Sequence, residues 1–430
     1  MRESRADVVI IGGGIVGCAT AYYLARRGVD VALVEKGEIA DEQSSRAWGF
    51  VRQQGRDPAE MPLAIASNAI WRGLEAELGA DIEWTQGGNL ALAGDVARLD
   101  TLRSWLPVAK DFGLETRLLS RAEVRDLIPA LTGHQLGGMY TAGDGHAEPR
   151  KATVALAEGA RRAGARILTY HAAEGIERAA GRVSAVVTDR GTIRAPVVVN
   201  AAGARAMRIA RMVGLPLPLL VVRSTVAETT PLPPITAAGV WGQGVAFRQK
   251  RDGSCYVAGG GQSDYDLTLD SFRYLRQFLP NYLKNRRLFR LRIGPESWND
   301  AASLVPGSEA RRHPFAATVG IEPRPNATTA RQSLRGLARL VPLAGEARLR
   351  RAWAGLIDAT PDAIPVLGEA RAVPGFIFAT GFSGHGPALG PIAGKLTAEL
   401  IVEGQPSLAI HHMDYARFAE GRIGKPKNVV

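Results

Sequence analysis

The run Val8-Val9-Ile10-Ile11-Gly12-Gly13-Gly14-Ile15-Val16-Gly17, near the start of a 430-residue chain, carries the reading on which the fold turns. Four consecutive branched apolar residues suit a strand buried on both faces of a parallel sheet. Three glycines break it, and Ile15 to Arg27 then follows a helical pattern that stops at Gly28. Val31 to Val34 reads as a second buried strand, ending at Glu35. In this strand–helix–strand unit Gly12, Gly14 and Gly17 fill the G-x-G-x-x-G pattern. Gly12 permits the tight turn, Gly14 lets backbone approach a pyrophosphate, and Gly17 lets helix pack close on strand. The helix start at Ile15 and Val16 turns N–H groups and a positive dipole end toward the same phosphates. Glu35 stands 23 residues beyond Gly12, close to the ~20 expected for a ribose-binding carboxylate. Its charge would repel a 2′-phosphate, so NADP is not expected, while NAD and FAD both stay open.

The whole chain is compatible with such an enzyme. Its 46% hydrophobic and 22% charged residues and mean hydropathy of −0.04 are those of a globular protein. The length exceeds the ~100–200 residues of one ordinary domain and predicts two lobes. The net charge of +11 favours anionic partners such as a phosphate-bearing cofactor or a carboxylate substrate. The basic residues are scattered, with Arg26, Arg27, Arg161 and Arg162 on solvated helix faces. No aromatic residues alternate with a basic stripe, so nucleic acid is not an expected partner. Two cysteines, Cys18 and Cys255, are too few for a disulfide framework or a metal cluster, and no metal site is expected. The uncharged stretch from Val8 to Ala25 imitates a membrane span or signal peptide, but its glycines interrupt it and no usual cleavage site follows. The expectation is a cytoplasmic protein without an integral membrane segment.

Further along, helical periodicity appears at Ala64 to Leu78, Leu99 to Phe112 and Arg150 to Ala163. Strands are expected at Asn89 to Leu92, Arg166 to Thr169, Val197 to Asn200 and Phe376 to Thr380. Val183 to Val187 and Ile193, joined through Asp189-Arg190-Gly191, predict a hairpin. The stretch from Pro216 to Pro342 is proline-punctuated and reads as most of the second lobe, with a strand at Ser254 to Ala258 and a basic, helix-like patch from Phe272 to Arg292. A glycine-rich turn, Gly381 to Gly386, precedes a helix expected from Pro391 to Val402.

Five blocks recur in a familiar order: Ser44-Ser45-Arg46-Ala47-Trp48-Gly49-Phe50-Val51-Arg52, Asp144-Gly145-His146-Ala147-Glu148-Pro149-Arg150, Val198-Val199-Asn200-Ala201-Ala202-Gly203, Trp353-Ala354-Gly355-Leu356 with Thr360-Pro361-Asp362, and Ala379-Thr380-Gly381-Phe382-Ser383-Gly384-His385-Gly386. With the N-terminal unit they resemble the D-amino acid oxidase superfamily of FAD-dependent oxidoreductases, in the branch of sarcosine oxidase (β-subunits included) and glycine oxidase. The resemblance implies an α/β fold. It has a discontinuous Rossmann-like FAD-binding domain (1–85, 140–215 and 345–430) and an inserted α+β substrate domain on an antiparallel or mixed sheet (86–139 and 216–344). It also implies a cofactor site. Gly12, Gly14, Ile15, Val16, Gly17, Glu35 and Lys36 belong to it from the first unit, and Ser44, Ser45, Arg46, Gly49, Phe50 and Val51 lie beside the flavin. Ala202, Gly203, Gly355, Asp362, Gly381, Gly384, His385 and Gly386 complete it.

The departures from the family pattern bear on function. Gly355 stands where sarcosine oxidase has its flavin-linking cysteine, and no histidine for such a link lies beside Trp48, so FAD is expected to be non-covalent. Ile357 and Ala388 replace an arginine and a lysine that hold substrate carboxylates in relatives. Arg52, Arg248 and His385 therefore remain as the candidate catalytic residues. Arg52 matches the sarcosine oxidase arginine near the flavin, and Arg248 lies on the second lobe. A guanidinium fork suits a carboxylate. For Arg52 the alternative is a pyrophosphate contact or an ion pair; for Arg248 it is a structural place. His385 either donates toward the electron-rich edge of the flavin or closes the turn.

The expected reaction is hydride transfer to flavin N5 from the carbon next to nitrogen in a secondary or N-substituted amino acid, followed by imine hydrolysis. The substrate would be a small carboxylate-bearing amine of sarcosine, iminodiacetate, hydroxyproline or D-amino acid type. O2 or a quinone or protein acceptor would reoxidise the flavin, and a homo- or hetero-oligomer is possible. A 2-hydroxy acid or polyol dehydrogenase, and an FAD-carrying subunit of a larger complex, are the alternatives.

Overall fold

The computed structural model describes residues 3–259, 263–313, 315 and 322–427. In it the opening run folds as read: strand Val8–Ile11, helix Ile15–Ala25 and strand Val31–Val34. These strands lie at the centre of a six-stranded sheet, ordered Val366–Glu369, Phe376–Thr380, Val197–Asn200, Val8–Ile11, Val31–Val34, Arg166–Leu168. All neighbours run parallel except the edge strand Val366–Glu369. Val8 faces Val197 on one side and Val31 on the other, and every residue of the two N-terminal strands is buried.

Helix Ile15–Ala25 packs on this sheet beside Gly386–Glu403. A Cβ on Gly390 would lie 2.6 Å from Ile15 Cγ2, and one on Gly394 would lie 2.5 Å from Ala19 Cβ. The two helices thus run side by side in the same direction, so both N-termini open on the same end of the sheet. The C-terminal helix begins at Gly386, not near Pro391 as expected. Pro387 fits its first turn, and Pro391 forgoes only the bond to the Pro387 carbonyl.

The second lobe is built on a ten-stranded, mostly antiparallel sheet whose strands include Asn89–Ala93, Gly137–Thr141, Leu220–Thr229, Gly239–Gly242, Val245–Gln249 and Cys255–Gly259. Strand Leu349–Ala359, assigned from sequence to the first lobe, instead pairs with Leu220–Thr229 from Leu220↔Ala359 to Thr229↔Leu349. The periodic stretch from Leu99 to Phe112 is two helices, Val96–Arg103 and Leu106–Asp111, the second opened by Pro107. The basic patch after Phe272 holds helix Leu275–Asn285 but ends as an edge strand, Phe289–Arg292, paired with Ser263–Asp266. No helix among the described residues is long and apolar enough to cross a membrane.

Candidate active site

A cleft runs from the glycine turn to the seam between the sheets. Its floor is backbone. Gly12 has φ +115°, and a Cβ there would lie 2.5 Å from the Ala201 carbonyl oxygen, so the turn passes directly against the start of the Ala201–Gly203 corner. At Gly13 a Cβ would strike Ile39 and Glu35 at 2.7 and 2.9 Å. Only bare backbone fits, which is what a close-lying pyrophosphate requires. Helix Ile15–Ala25 opens on Gly14 without a side-chain cap, and Ser44 Oγ accepts the Ile15 N–H at 2.9 Å.

Glu35 forms the end wall. Its Oε2 accepts the Gly13 N–H at 2.7 Å and its Oε1 the Gly37 N–H at 2.8 Å. Burial pushes this carboxyl above its ordinary value, and the two backbone N–H groups oppose the shift. Each oxygen retains acceptor capacity for ribose hydroxyls. Lys36 lines the cleft beside it and pairs with Glu42 at 2.5 Å.

Of the residues expected around the cofactor, Gly12, Gly14, Ile15, Val16, Glu35, Lys36, Ser44, Arg46, Gly49, Phe50, Ala202, Gly203, Gly355, Gly384, His385 and Gly386 line this cleft. Five others lie behind its surface. Gly17 is there for packing: a Cβ would be 2.0 Å from the Gly12 carbonyl oxygen. Ser45 donates to the Glu42 carbonyl (3.1 Å), Val51 is buried in a two-residue strand against Gly145, and Gly381 donates its N–H to Asp358 Oδ2 (2.9 Å). Asp362 is held by the buried Arg417 guanidinium at 2.9 and 3.1 Å, so its carboxylate is a structural partner and not a cofactor contact.

The three candidate catalytic residues separate. Arg52 lines the cleft, its guanidinium 5.2 Å from the Trp241 ring centre and one N–H donated to the Gln54 carbonyl. Asp144, from the second sequence block, accepts the Gln53 and Gln54 N–H groups at 2.8 and 3.1 Å and so fixes the backbone that aims Arg52. Gln54 in turn bonds the carbonyls of Asn89 and Met139, both at 3.0 Å, tying this loop to the second sheet. Burial and the neighbouring Arg56 pull the Arg52 guanidinium below its ordinary pKa, and the Asp144 and Glu60 carboxylates oppose the shift.

Arg248 does not line the cleft. It is 1% exposed, pairs with Glu148, donates to the Trp48 carbonyl and lies 4.7 Å from the Tyr256 ring centre. A second-lobe carboxylate clamp at Arg248 does not fit this placement, because the fork already braces the Trp48–Gly49 turn. His385 caps the N-terminus of helix Gly386–Glu403 and reaches the buried Glu60 at 3.0 Å. A carboxylate only accepts, so Nδ1 carries a proton and donates it to Glu60. Burial and Arg56 push the imidazole pKa down; burial raises that of Glu60, but His385, Arg56 and Arg52 outweigh it and hold Glu60 ionised.

Several lining residues escaped the sequence reading. Trp241, which no sequence block contains, joins Trp48 and the expected Phe50 in one aromatic cluster with ring centres 4.8 to 6.2 Å apart; the three come from both lobes and share no local pattern. Asp358, fully buried, accepts from Gln43 Nε2 (2.9 Å) and the Gly381 N–H, while Gln43 Oε1 accepts the Ala204 N–H (2.7 Å). Burial raises the Asp358 carboxyl and these donors counter the shift. Arg56 and Glu60 lie four residues apart after Arg52, a spacing that only the short helical turn at Pro58–Glu60 makes meaningful.

The match to known proteins covers this whole architecture. Residues 7–400 match the FAD dependent oxidoreductase family, DAO. Human mitochondrial sarcosine dehydrogenase is 27% identical over 99% of this chain, which spans 42% of that longer protein. Glycine oxidase from Geobacillus kaustophilus is 27% identical over 98% of this chain and 99% of its own length. The solved L-amino acid deaminase from Proteus myxofaciens, in complex with anthranilate, is 28% identical and superposes with a TM-score of 0.91, covering 96% of this chain and 94% of that one. The bare glycine turn, the Glu35 wall and the start of helix Ile15–Ala25 suit the ADP half of FAD, and the Ser44–Phe50 and Gly384–Gly386 walls suit its ring. The chain belongs to the FAD dependent oxidoreductase (DAO) family, and FAD is its cofactor.

Proposed function

We propose that this chain oxidises the C–N bond of a secondary or N-substituted amino acid. The observation that carries the reading is the pairing, inside one cleft, of the Arg52 guanidinium with the Trp48, Phe50 and Trp241 rings. A guanidinium binds a carboxylate as a fork, and an aromatic wall takes an N-alkyl group or an apolar side chain. FAD, when bound, supplies the acceptor for the hydride that leaves the carbon next to nitrogen. Arg52 then orients that carbon by holding the carboxylate, Ile357 and Ala388 keep the neighbouring wall uncharged, and the rings exclude water. No side chain need act as a strong base when the amine binds unprotonated. Water outside the cleft hydrolyses the released imine.

Sarcosine dehydrogenase, by its name, acts on an N-methyl amino acid, and glycine oxidase on a primary one; both names support oxidation at an amino acid C–N bond, and the first supports N-substitution. Anaerobic bleaching of the bound flavin tests it, using N-methyl amino acids, primary amino acids, 2-hydroxy acids and polyols. Bleaching by N-substituted amino acids is expected; bleaching by hydroxy acids or polyols alone would overturn the proposal. FAD should also come away in acid supernatant. Among the described residues no cysteine lines the cleft, and a Cβ at Gly355 would already lie 2.8 Å from Arg46 Cβ.

A further inference from the structure

Among the described residues, seventeen large apolar side chains are exposed, and ten of them fall in the 37-residue segment from Leu269 to Val305. Phe272, Ile293 and Trp298 are 65, 74 and 68% exposed. So dense a cluster is not the scattered exposure of an ordinary surface and marks an interaction site. Its geometry is ordered. Leu275, Leu279 and Leu283 follow at intervals of four on helix Leu275–Asn285 and form one outward stripe, while Phe278 is buried and anchors the helix from behind. The preceding helix, Leu269–Arg273, is joined to helix Pro295–Leu304 by the Leu269 N–H donated to Asp300 Oδ2 at 2.8 Å, so the two ends of the segment are held together.

The charge of the segment identifies its partner. Seven Lys and Arg residues stand against three Asp and Glu, and Arg276, Lys284 and Arg286 are exposed between the leucines. The fully buried core of a protein–protein interface is depleted in charged residues, whereas here the cations stand between the apolar side chains. Apolar side chains interleaved with cations and a peripheral tryptophan are the composition of a helix lying at a lipid interface. We propose that this face docks on the surface of an anionic lipid bilayer, its apolar side chains entering the acyl boundary and its cations meeting headgroup phosphates. The surface bears on the cleft as well. Glu296, on helix Pro295–Leu304, holds Arg205 of the cleft wall through bonds of 2.6 and 2.8 Å, so a docked molecule carries its cleft beside the membrane.

The FAD-loaded protein is sedimented with vesicles of phosphatidylcholine alone, and with vesicles containing about one third phosphatidylglycerol. Binding to the mixed vesicles is expected, weakened by high salt and small with phosphatidylcholine alone. The double variant Phe272→Glu/Leu279→Glu should bind at least about tenfold more weakly while keeping its FAD and its melting temperature. Should that variant lose its fold, Arg276→Glu/Arg286→Glu, which alters only exposed charge, must still reduce binding to the mixed vesicles. Equal sedimentation of wild type and both variants overturns the proposal. So does a wild-type dimer by light scattering that the apolar variant dissociates without any vesicle binding, since the face would then belong to a second copy of the chain.

Discussion

The six-stranded and ten-stranded sheets border the same cleft but shape it by different means. On the six-stranded side the wall is backbone: Gly12 and Gly13 leave no room for a Cβ, and two helices open on the same end of the sheet. On the ten-stranded side the wall is side chain: Trp241 comes from Gly239–Gly242, and Ile357 and Asp358 come from Leu349–Ala359. The difference teaches where chemistry can vary. A backbone cradle recognises a phosphate-bearing cofactor common to many enzymes, whereas replaceable side chains select the substrate. Arg52 stands at the join. It belongs by sequence to the cofactor lobe, but its loop is fastened to Asn89 and Met139 of the other sheet.

Substitutions at four positions probe that division. Arg248→Ala should have the largest effect, and on stability rather than substrate choice. It leaves buried Glu148 without its cation, at a cost of about 3–5 kcal/mol, readable as a lower urea midpoint. A fold of unchanged stability with a selective loss of carboxylate substrates would return Arg248 to the substrate site. Arg52→Ala should do the opposite, lowering kcat/KM by about 2–5 kcal/mol for an amino acid. Its decarboxylated amine should be little affected, and Arg52→Lys should be impaired as well because the fork is lost. Equal losses for acid and amine would place the clamp elsewhere.

Glu35→Ala is expected to weaken FAD affinity by about 1.5–3 kcal/mol, through lost charged hydrogen bonds. It also frees the Gly13 and Gly37 N–H groups that shape the turn. Titration of the apoprotein with FAD measures this, and unchanged affinity would remove Glu35 from the ribose site. The last effect, absent at neutral pH, concerns the seam, where His146 pairs with Phe50 and contacts the Ala237 carbonyl at 3.1 Å. Burial and Arg248 push its pKa down to about 3. The unfolded chain, with its histidine near ~6.5, therefore binds more protons than the fold below that pH. Stability should fall as pH drops from ~6.5 toward about 3, with no contribution from His146 above that window. His146→Gln should flatten this part of the urea-midpoint profile, and an unaltered slope would show that His146 does not titrate differently on unfolding.

The legible parts of the molecule were those whose signal is short-range. Val8 to Glu35 declares strand, turn, helix and strand within 28 residues, because burial on both faces and the need for bare glycine leave little freedom at each position. Gly17 was assigned to helix–strand packing on the same grounds, and the 2.0 Å distance to Gly12 accounts for it. Leu349–Ala359 was misplaced because an apolar strand does not state its partner; its pairing with Leu220–Thr229 spans more than a hundred residues. The start of the last helix was misread because Pro391 signals a helix beginning only when nothing holds the turn before it, and here Gly390 and Gly394 pack it against Ile15 and Ala19.

The sequence by itself determined the strand–turn–helix–strand cradle and the family, since those requirements are met by short blocks of neighbours in the chain. Tertiary structure alone decided between the two arginines. Arg52 and Arg248 carry the same guanidinium, but one is turned into the cleft by Asp144 and Gln54, and the other is held by Glu148 beneath the Trp48 turn. Long-range pairing also assembled Trp48, Phe50 and Trp241 into one wall. What a charged or aromatic side chain does depends on which partners the fold brings within a few ångströms, and that is set by contacts far apart in sequence.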